Sequence, residues 1–289
     1  MARPALAATR ALDIVSFLTE HPDDGFTMAQ LTRALRLNQG SAHAILAAMT
    51  EQGFLVRHPA ERTFRLGPAL VGVGEAAGRA NPIIGVAREE LGALVRRLGL
   101  EALASTRTGA DLRVVVRVGG ADGRSRTGGR SRPVGQRYPL VPPIGAVLVA
   151  WSPASVQEAW IAARPAGVSE GELASTLVGV RERGYDLGGG AAARRALGVA
   201  AGALADDPLD AEREAQVRRR AGQVPTGSRD DVAMVTVPVL GPAGDAVLEV
   251  VVHGFAEPPD ADGVRRVVDA ALETAATVAR RVAKVGAPT

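Results

Sequence analysis

The chain of 289 residues contains no cysteine, a single lysine and only 3% aromatic residues. The absence of cysteine excludes a disulfide framework, a thiolate zinc site and a cysteine nucleophile, and it is compatible with a reducing compartment. The longest apolar runs lie within residues 144–151 and 199–205, far short of the roughly 20 residues that a membrane-spanning helix needs. Asp13 interrupts the N-terminal region before any apolar run long enough for a signal peptide. We therefore expect a cytoplasmic protein with no membrane partner.

The sequence also lacks the common signatures of enzymes and metal sites. The four histidines are scattered and never take the HExxH spacing of a zinc protease. The Gly-x-Ser-x-Gly turn of a serine hydrolase is absent, and Lys284, the only lysine, lies too near the end of the chain to complete a phosphate-binding loop. We therefore expect no catalytic residues, no metal and no cofactor.

What is present is a globular composition with a balanced charge. Hydrophobic residues make up 46% of the chain and charged residues 22%, which is enough apolar material for two domains of ordinary size. The formal net charge is only +3, although the sequence pI is about 10.1. Residues 1–66 hold seven arginines and six acidic residues. Binding of a polyanion by this region would therefore depend on where the arginines lie rather than on the net charge.

Residues 27–66 carry the pattern of a winged helix-turn-helix, in which two helices joined by a tight turn precede a two-stranded wing. Thr27 and Gln30 can form a capping box, so the first of these helices should begin there. The second helix should run over residues 39–52, and its apolar side would carry Ala42, Ile45, Leu46 and Met49. Residues 54–57 and 63–66 are typical of the two strands of the wing.

This pattern predicts a DNA-reading surface, because an α-helix fits the major groove and presents its N-terminal side chains to the base edges. Polar residues at the start of the second helix are candidates for base contacts, and arginines of the first helix and the wing are candidates for phosphate contacts. These candidates are Asn38, Gln39, Ser41 and His43 for bases, and Arg33, Arg36, Arg57 and Arg62 for phosphates. The alternative for any single position is a solvated polar side chain without a partner.

Beyond the wing, the sequence pattern predicts a second region built from both helices and strands. Helices are predicted over residues 68–80, 83–98, 144–151, 155–162, 170–183 and 262–284, and strands over 101–106, 112–118, 232–239 and 246–253. Antiparallel hairpins at both ends of this region indicate an α+β domain. We attribute the glycines at 72, 74 and 78 to close packing of the first of these helices against another helix.

In five short segments the sequence resembles the IclR-type bacterial transcription regulators. The segments are Ala11-Leu12-Asp13-Ile14, Thr27-Met28-Ala29-Gln30-Leu31, Ser41-Ala42-His43, Gln52-Gly53-Phe54-Leu55 and Phe64-Arg65-Leu66-Gly67. The resemblance implies a winged helix-turn-helix DNA-binding domain over residues 1–67, a linker helix over 68–81, and an effector-binding and oligomerisation domain over 82–289. The implied partners are a double-stranded DNA operator, a small-molecule effector, and further copies of the chain in a homodimer or dimer of dimers.

In the regulators that this chain resembles, the effector pocket uses amides at a helix start and polar groups on the late strands. The matching positions are Ile144, Gly145, Met234, Val251 and His253. Met234 stands where the family commonly has a cysteine, and Val251 and His253 stand where it has two serines. Because these exchanges remove hydrogen-bonding groups, they imply an effector more apolar than the small organic acids usual for the family. The alternative is a pocket filled by the protein's own side chains.

Other departures from the family leave alternatives open. Gly188 stands where an acidic residue is expected, with Asp186 nearby but out of step, and the connection over 188–231 is unusually long. That connection could cover the pocket or form a subunit contact. The arginine-rich stretch 124–137 is more typical of a solvated loop than of a nucleic-acid contact. Gln39 and Ala44 replace a lysine and an arginine of the family's recognition helix, so the alternative to a DNA-binding regulator is a ligand sensor whose degenerate helix contacts proteins.

Overall fold

The computed structural model describes residues 5–120, 134–164, 168–188 and 232–285. The chain divides into two compact units, of which the first ends at Asn81 and the second begins at Pro82. Each unit contains a hydrophobic cluster of its own, so the two are described separately.

The first unit is a winged helix-turn-helix with a three-stranded sheet. Its elements are α1 (Leu6–Glu20), β1 (Phe26–Thr27), α2 (Met28–Ala34), α3 (Gln39–Glu51), β2 (Leu55–Arg57), β3 (Thr63–Leu66) and α4 (Ala69–Ala80). The strands lie antiparallel in the order β1-β3-β2. The core is formed by Ile14 and Leu18 of α1, Leu31 of α2, Leu46 of α3 and Leu55 of β2, each at most 1% exposed. The predicted helices and wing strands are confirmed to within a few residues, whereas the short strand β1 was missed.

The start of α2 is held by the predicted capping box. The backbone amide of Thr27 donates to Oε1 of Gln30 at 2.7 Å, and the amide of Gln30 donates to Oγ1 of Thr27 at 3.3 Å. Two amides that have no partner within the helix are thereby satisfied. The cap also fixes where the chain leaves β1, since Thr27 pairs with Thr63 in the sheet.

The second unit is an α+β domain built on a six-stranded antiparallel sheet, which confirms the predicted fold class. Its strands are β4 (Glu101–Thr108), β5 (Asp111–Val118), β6 (Arg137–Pro139), β7 (Asp186–Gly188), β8 (Met234–Leu240) and β9 (Ala246–His253), in the order β6-β5-β4-β9-β8-β7. Its helices are α5 (Pro82–Leu98), α6 (Ala146–Ala150), α7 (Ala154–Ala162), α8 (Glu170–Arg183) and α9 (Ala261–Val285). The three-residue strands β6 and β7 were missed because so short a segment shows no period.

Helices cover both faces of this sheet. Val250 and Val252 of β9 join the cluster beneath α5 and α9, whereas Val251 points to the opposite face, where Leu148 of α6 packs. This alternation follows from the two-residue period of a strand. Arg281 ties α9 to α5, because its guanidinium donates to carboxylates of Glu89 and Glu90 at 2.7 Å each. No described helix is long and apolar enough to cross a bilayer.

Two sequence expectations fall largely outside the described residues. Of the arginine-rich stretch 124–137, residues 124–133 are not described, and Arg137 lies on β6, where its Nε donates to Asp111 at 3.1 Å. The insertion over 188–231 is likewise not described, apart from Gly188 at the end of β7.

Helix α4 is predominantly exposed, and none of its residues is buried. Apart from the helix itself, no described atom lies within 4 Å of the position that a Cβ would take at Gly72, Gly74 or Gly78. Val71 and Val73 are 64% and 52% exposed. Among the described residues, no other helix packs against these glycines, so the expected close helix packing is not observed there.

Replacing Thr27 with alanine should destabilise the first unit by about 1 kcal/mol, because the side-chain half of the cap is lost. Thr50→Ala is the matched control, since its hydroxyl donates to the carbonyl of Leu46 within α3 and satisfies no free helix end. The control should stay within about 0.5 kcal/mol of the parent. Urea unfolding of the full chain, monitored by hydrogen exchange of the backbone amides in residues 5–81, measures the stability of both variants. Equal losses in the two variants would contradict this role of the cap.

Candidate DNA-binding surface and effector face

The turn between α2 and α3 is shaped by one buried leucine and one capping asparagine. Leu37 is 7% exposed and belongs to the core cluster of the first unit. Arg36, just before it, has a positive φ of 47°, an uncommon conformation for a residue with a side chain. Oδ1 of Asn38 accepts hydrogen bonds from the amides of Gly40 at 2.9 Å and Ser41 at 3.3 Å. The N-terminus of α3 is thereby fixed on the core.

The residues predicted to contact bases lie around this N-terminus. Asn38, Gln39 and His43 are exposed, and Ser41 is half-buried. Oδ1 of Asn38 is engaged in the cap, so this side chain serves to position the helix. The side-chain amide nitrogen of Asn38 takes no part in the cap. The side chains of Gln39 and His43 are accessible to a partner approaching the helix start.

The four arginines predicted to contact phosphates are all exposed, on α2, its turn and the wing. The guanidinium of Arg57 lies over the ring of Phe64, 5.5 Å from its centroid, so its position on the wing is restrained. Arg62 lies in the turn of the wing with a φ of 56°. One further contact was not predicted from the sequence: Nη1 of Arg65 donates to the carbonyl of Asp23 at 3.0 Å and joins the wing to the loop before β1.

Three of the predicted effector-binding residues meet in one apolar cluster. Ile144, Met234 and Val251 pack together with buried side chains of the sheet and of α6, among them Leu103, Leu112, Val114, Tyr138 and Leu148. Nε1 of Trp160 donates to the carbonyl of Ile144 at 2.9 Å and holds the segment before α6 in place. The arrangement forms an apolar cluster between the sheet and α6.

Met234 and Gly188 are coupled by packing. The two residues are partners in the pairing of β7 with β8, and Cγ of Met234 lies only 2.3 Å from where a Cβ at position 188 would stand. A side chain at 188 would therefore displace the methionine. Positions 188 and 234 therefore share one apolar volume, which the side chain of Met234 fills.

Gly145 precedes a shorter helix than expected. Helix α6 begins at Ala146 and spans five residues, whereas the sequence predicted residues 144–151. Gly145 has a φ of 80°, and a Cβ there would stand 2.3 Å from Cδ1 of Leu140, so the position requires glycine for conformation and space. The dipole of so short a helix contributes little to holding an anion, so local amide geometry would have to supply most of that attraction.

His253 lies at the end of the same sheet face, opposite Glu101 in the strand pairing. Its Nδ1 is 3.9 Å from Oε2 of this glutamate, which is 1% exposed. Further polar groups on this face were missed from the sequence: Ser105, Thr236 and Glu249, each at most 9% exposed. Glu249 was detectable, because it interrupts a run of apolar residues in β9 at a position that alternation assigns to the same face as Val251.

Asp186 also shares this face. It pairs with Thr236, and it lies two residues before Gly188 on the same strand. The side chain of Asp186 and a side chain at position 188 would therefore lie on the same face of the sheet. Asp186 is therefore displaced by two residues along the strand from position 188, as the sequence indicated, and its carboxyl lies on the same face. Burial raises the pKa of Asp186, while a hydrogen bond from the backbone of Leu187 and the charge of Arg183 lower it in part.

A separate open groove of about 860 Å³ lies at the end of α5 and the start of α9. Its lining includes Leu98, Phe255 and Val267, which belong to or pack on the cluster beneath α5 and α9. The groove is thus on the side of the sheet opposite to Val251 and is distinct from the effector face.

The raised pKa of Asp186 predicts a pH-dependent effect of Asp186→Asn. The ionised carboxylate is disfavoured in the folded state, so wild-type stability falls as pH rises above the unfolded pKa of about 3.9 and through the raised folded value. The variant should therefore be more stable than wild type at neutral pH and equal to it below about pH 3.9. Urea unfolding at both pH values measures this, with the exposed Glu182→Gln as a control. A gain of the same size at both pH values would contradict the assignment.

Comparisons with known proteins agree with this architecture. Residues 7–59 match the IclR helix-turn-helix domain. No curated protein has a sequence that matches the chain. The matched domain is that of a family of transcription regulators and not of enzymes.

Solved structures extend the likeness to nearly the whole chain at the level of fold. An IclR transcriptional regulator from Alicyclobacillus acidocaldarius is 20% identical, with a TM-score of 0.69 over 96% of this chain and 99% of that chain. An IclR from Thermotoga maritima is 16% identical, with a TM-score of 0.61 over 96% and 99%. An IclR homologue from Microbacterium hydrocarbonoxydans, complexed with 4-hydroxybenzoate, is 17% identical, with a TM-score of 0.64 over 96% and 99%. The chain therefore carries an IclR helix-turn-helix domain over residues 7–59, and nearly its whole length has the fold of solved IclR regulators.

Proposed function

We propose that the protein is a homodimeric transcription regulator that binds operator DNA through α3 and the wing, and that a small effector bound between the sheet and α6 changes operator binding. The observation that carries this proposal is the exposed outer side of α3, which lies on a core that fixes its N-terminus. Gln39, Ser41 and His43 would contact base edges, with Asn38 holding the helix start. Arg33, Arg36, Arg57 and Arg62 would contact phosphates on either side.

The homodimer is supported by apolar surface on the first unit. Leu6 and Leu12 of α1 are 58% and 67% exposed, and Val71 and Val73 of α4 are also largely exposed. The glycines of α4 leave its backbone accessible, so another helix can approach closely. A second copy of the chain would bury these surfaces and place two α3 helices on one duplex. Pairing of such dimers would give the dimer of dimers.

The effector proposed here is a small aromatic or similarly apolar acid. Ile144, Met234 and Val251 supply apolar contacts, and Gly145 and His253 stand at the edges of that cluster. The IclR homologue complexed with 4-hydroxybenzoate has the same fold, which supports an aryl ligand for this chain. The effector needs only to bind one arrangement of the paired DNA-binding units better than another, because its differential affinity sets how far operator binding shifts.

One observation favours a second candidate, a ligand sensor that acts through protein contacts. Helix α3 contains neither arginine nor lysine over residues 39–51, so the helix itself provides no charge for phosphate binding. Under this alternative the exposed side of α3 would contact a protein surface. The flanking arginines favour DNA as the partner.

Selection of bound sequences from a random double-stranded DNA pool tests the proposal. The full chain should enrich an inverted repeat whose half-sites lie about 10 base pairs, or a multiple of that, apart, since a symmetric dimer presents two α3 helices. An Arg33→Ala, Arg62→Ala double variant that folds normally should bind the enriched DNA more weakly and with a smaller salt dependence, by about 0.9 in the logarithmic slope for each lost contact. Failure of the folded wild type to enrich any sequence would leave the protein-contact alternative.

Calorimetry with 4-hydroxybenzoate and with glyoxylate tests the effector proposal. Wild type should bind the aromatic acid and not glyoxylate, and Met234→Ala should weaken the aromatic acid about tenfold because roughly two methylene contacts are lost. Leu272→Ala is the control, since Leu272 packs on the opposite face of the sheet. If Met234→Ala binds the aromatic acid and wild type does not, the side chain of Met234 fills the pocket in wild type. Tight binding of glyoxylate by wild type would contradict the proposed ligand class.

A further inference from the structure

The exposed side of α3 is formed largely by residues with almost no side chain. Ala42 and Leu46 are buried, and Ile45 and Met49 are packed on the core cluster. One helical turn apart on the opposite side lie Gly40, Ala44 and Ala47, with Glu51 beyond them. Gln39, His43 and Ala48 flank this line, and all are exposed. The centre of the surface that would enter a groove therefore carries methyl groups and bare backbone.

Folding of the first unit does not explain the glycine in this line. Gly40 is helical, with no positive φ, and a Cβ there would have only Oδ1 of Asn38 nearby, at an ordinary 3.4 Å. Glycine destabilises a helix relative to alanine, so the residue present is the less stable of two that fit. A glycine in such a position permits close approach of a partner to the helix backbone.

The chemistry of the major groove identifies what this surface fits. Alanine methyl groups neither donate nor accept hydrogen bonds, and the groove feature that matches them is the C5-methyl group of thymine. A G·C pair carries no methyl group in the major groove, so Ala44 and Ala47 would find no apolar partner there. Gln39, at the edge of the line, can form two hydrogen bonds with adenine.

Charge fixes which part of the helix enters. The N-terminal half of α3 carries the positive end of the helix dipole and lies next to the exposed arginines Arg33 and Arg36. Glu51 at the C-terminal end would be repelled by phosphates. The duplex therefore meets Gly40, Ala44 and Ala47 rather than the end of the helix.

We propose that α3 reads an A·T-rich half-site mainly by apolar contact, with Ala44 and Ala47 packed on thymine methyl groups and Gly40 admitting the base edges close to the helix backbone. This inference rests on the proposed DNA-binding function and adds the base composition of the site and the means of recognition. Helix α3, which contains neither arginine nor lysine, would thus discriminate between base pairs by apolar contact.

Uracil substitution in the DNA tests the methyl contacts without altering the protein. In the selected operator, thymines are replaced one at a time by deoxyuridine, which removes only the C5-methyl group. Affinity should fall about fourfold for each contacted methyl group in the half-sites and stay unchanged for thymines outside them. Equal affinity for fully substituted half-sites, or selection of half-sites rich in G·C, would overturn the inference while leaving DNA binding intact. If no DNA is selected, both the inference and the proposed function fail.

Gly40→Ala tests the close approach. The variant should unfold at the same or a higher temperature than wild type and bind the selected operator at least about tenfold more weakly, because the added methyl separates helix and bases. Gly171→Ala is the matched control: this exposed glycine of α8 also has room for a Cβ, with Oγ of Ser169 at 3.7 Å, and operator binding should be unchanged. Unchanged operator affinity in Gly40→Ala would overturn the close approach.

Discussion

Burial of one side of α3 is the constraint on which the function of the first unit depends. Leu46 and Ala42 are enclosed in a core shared with α1, α2 and the wing, and Asn38 caps the helix at its start. Rotation of the helix about its axis would expose these side chains and break the cap. The outward line of small residues is thus a consequence of core packing, and a partner meets a surface that is already in place.

The sheet face of the second unit that packs on α6 has an apolar centre. Met234 occupies the space that the absent side chain of Gly188 leaves open, and Val251 continues the same apolar face. The acids on this face, Glu101, Glu249 and the displaced Asp186, lie around that apolar centre. If the proposed effector binds there, its selection would depend more on shape than on a dense set of hydrogen bonds.

The two units differ in how completely they bury their apolar residues. The sheet of the second unit is covered by α5 and α9 on one face and by α6 on the other, so its apolar residues are buried within the chain. The first unit buries a smaller core and leaves Leu12 and Val71 exposed. Small units bury a smaller fraction of their surface, which makes them more dependent on a partner. This asymmetry supports the homodimer proposed above.

Local patterns were sufficient to determine the helices, the capping box, the hairpins and the α+β class, because each depends on residues close together in the chain. The sequence placed Thr27 with Gln30 and aligned the apolar side of α3 correctly. It did not reveal that Phe26 and Thr27 form a third strand, or that Arg65 is bound to the loop before it. Those facts depend on strand register and on contacts between distant residues, and no local period encodes them. The coupling of Met234 with Gly188 appears only when β7 pairs with β8, since the two positions are far apart in sequence and adjacent only in the folded sheet.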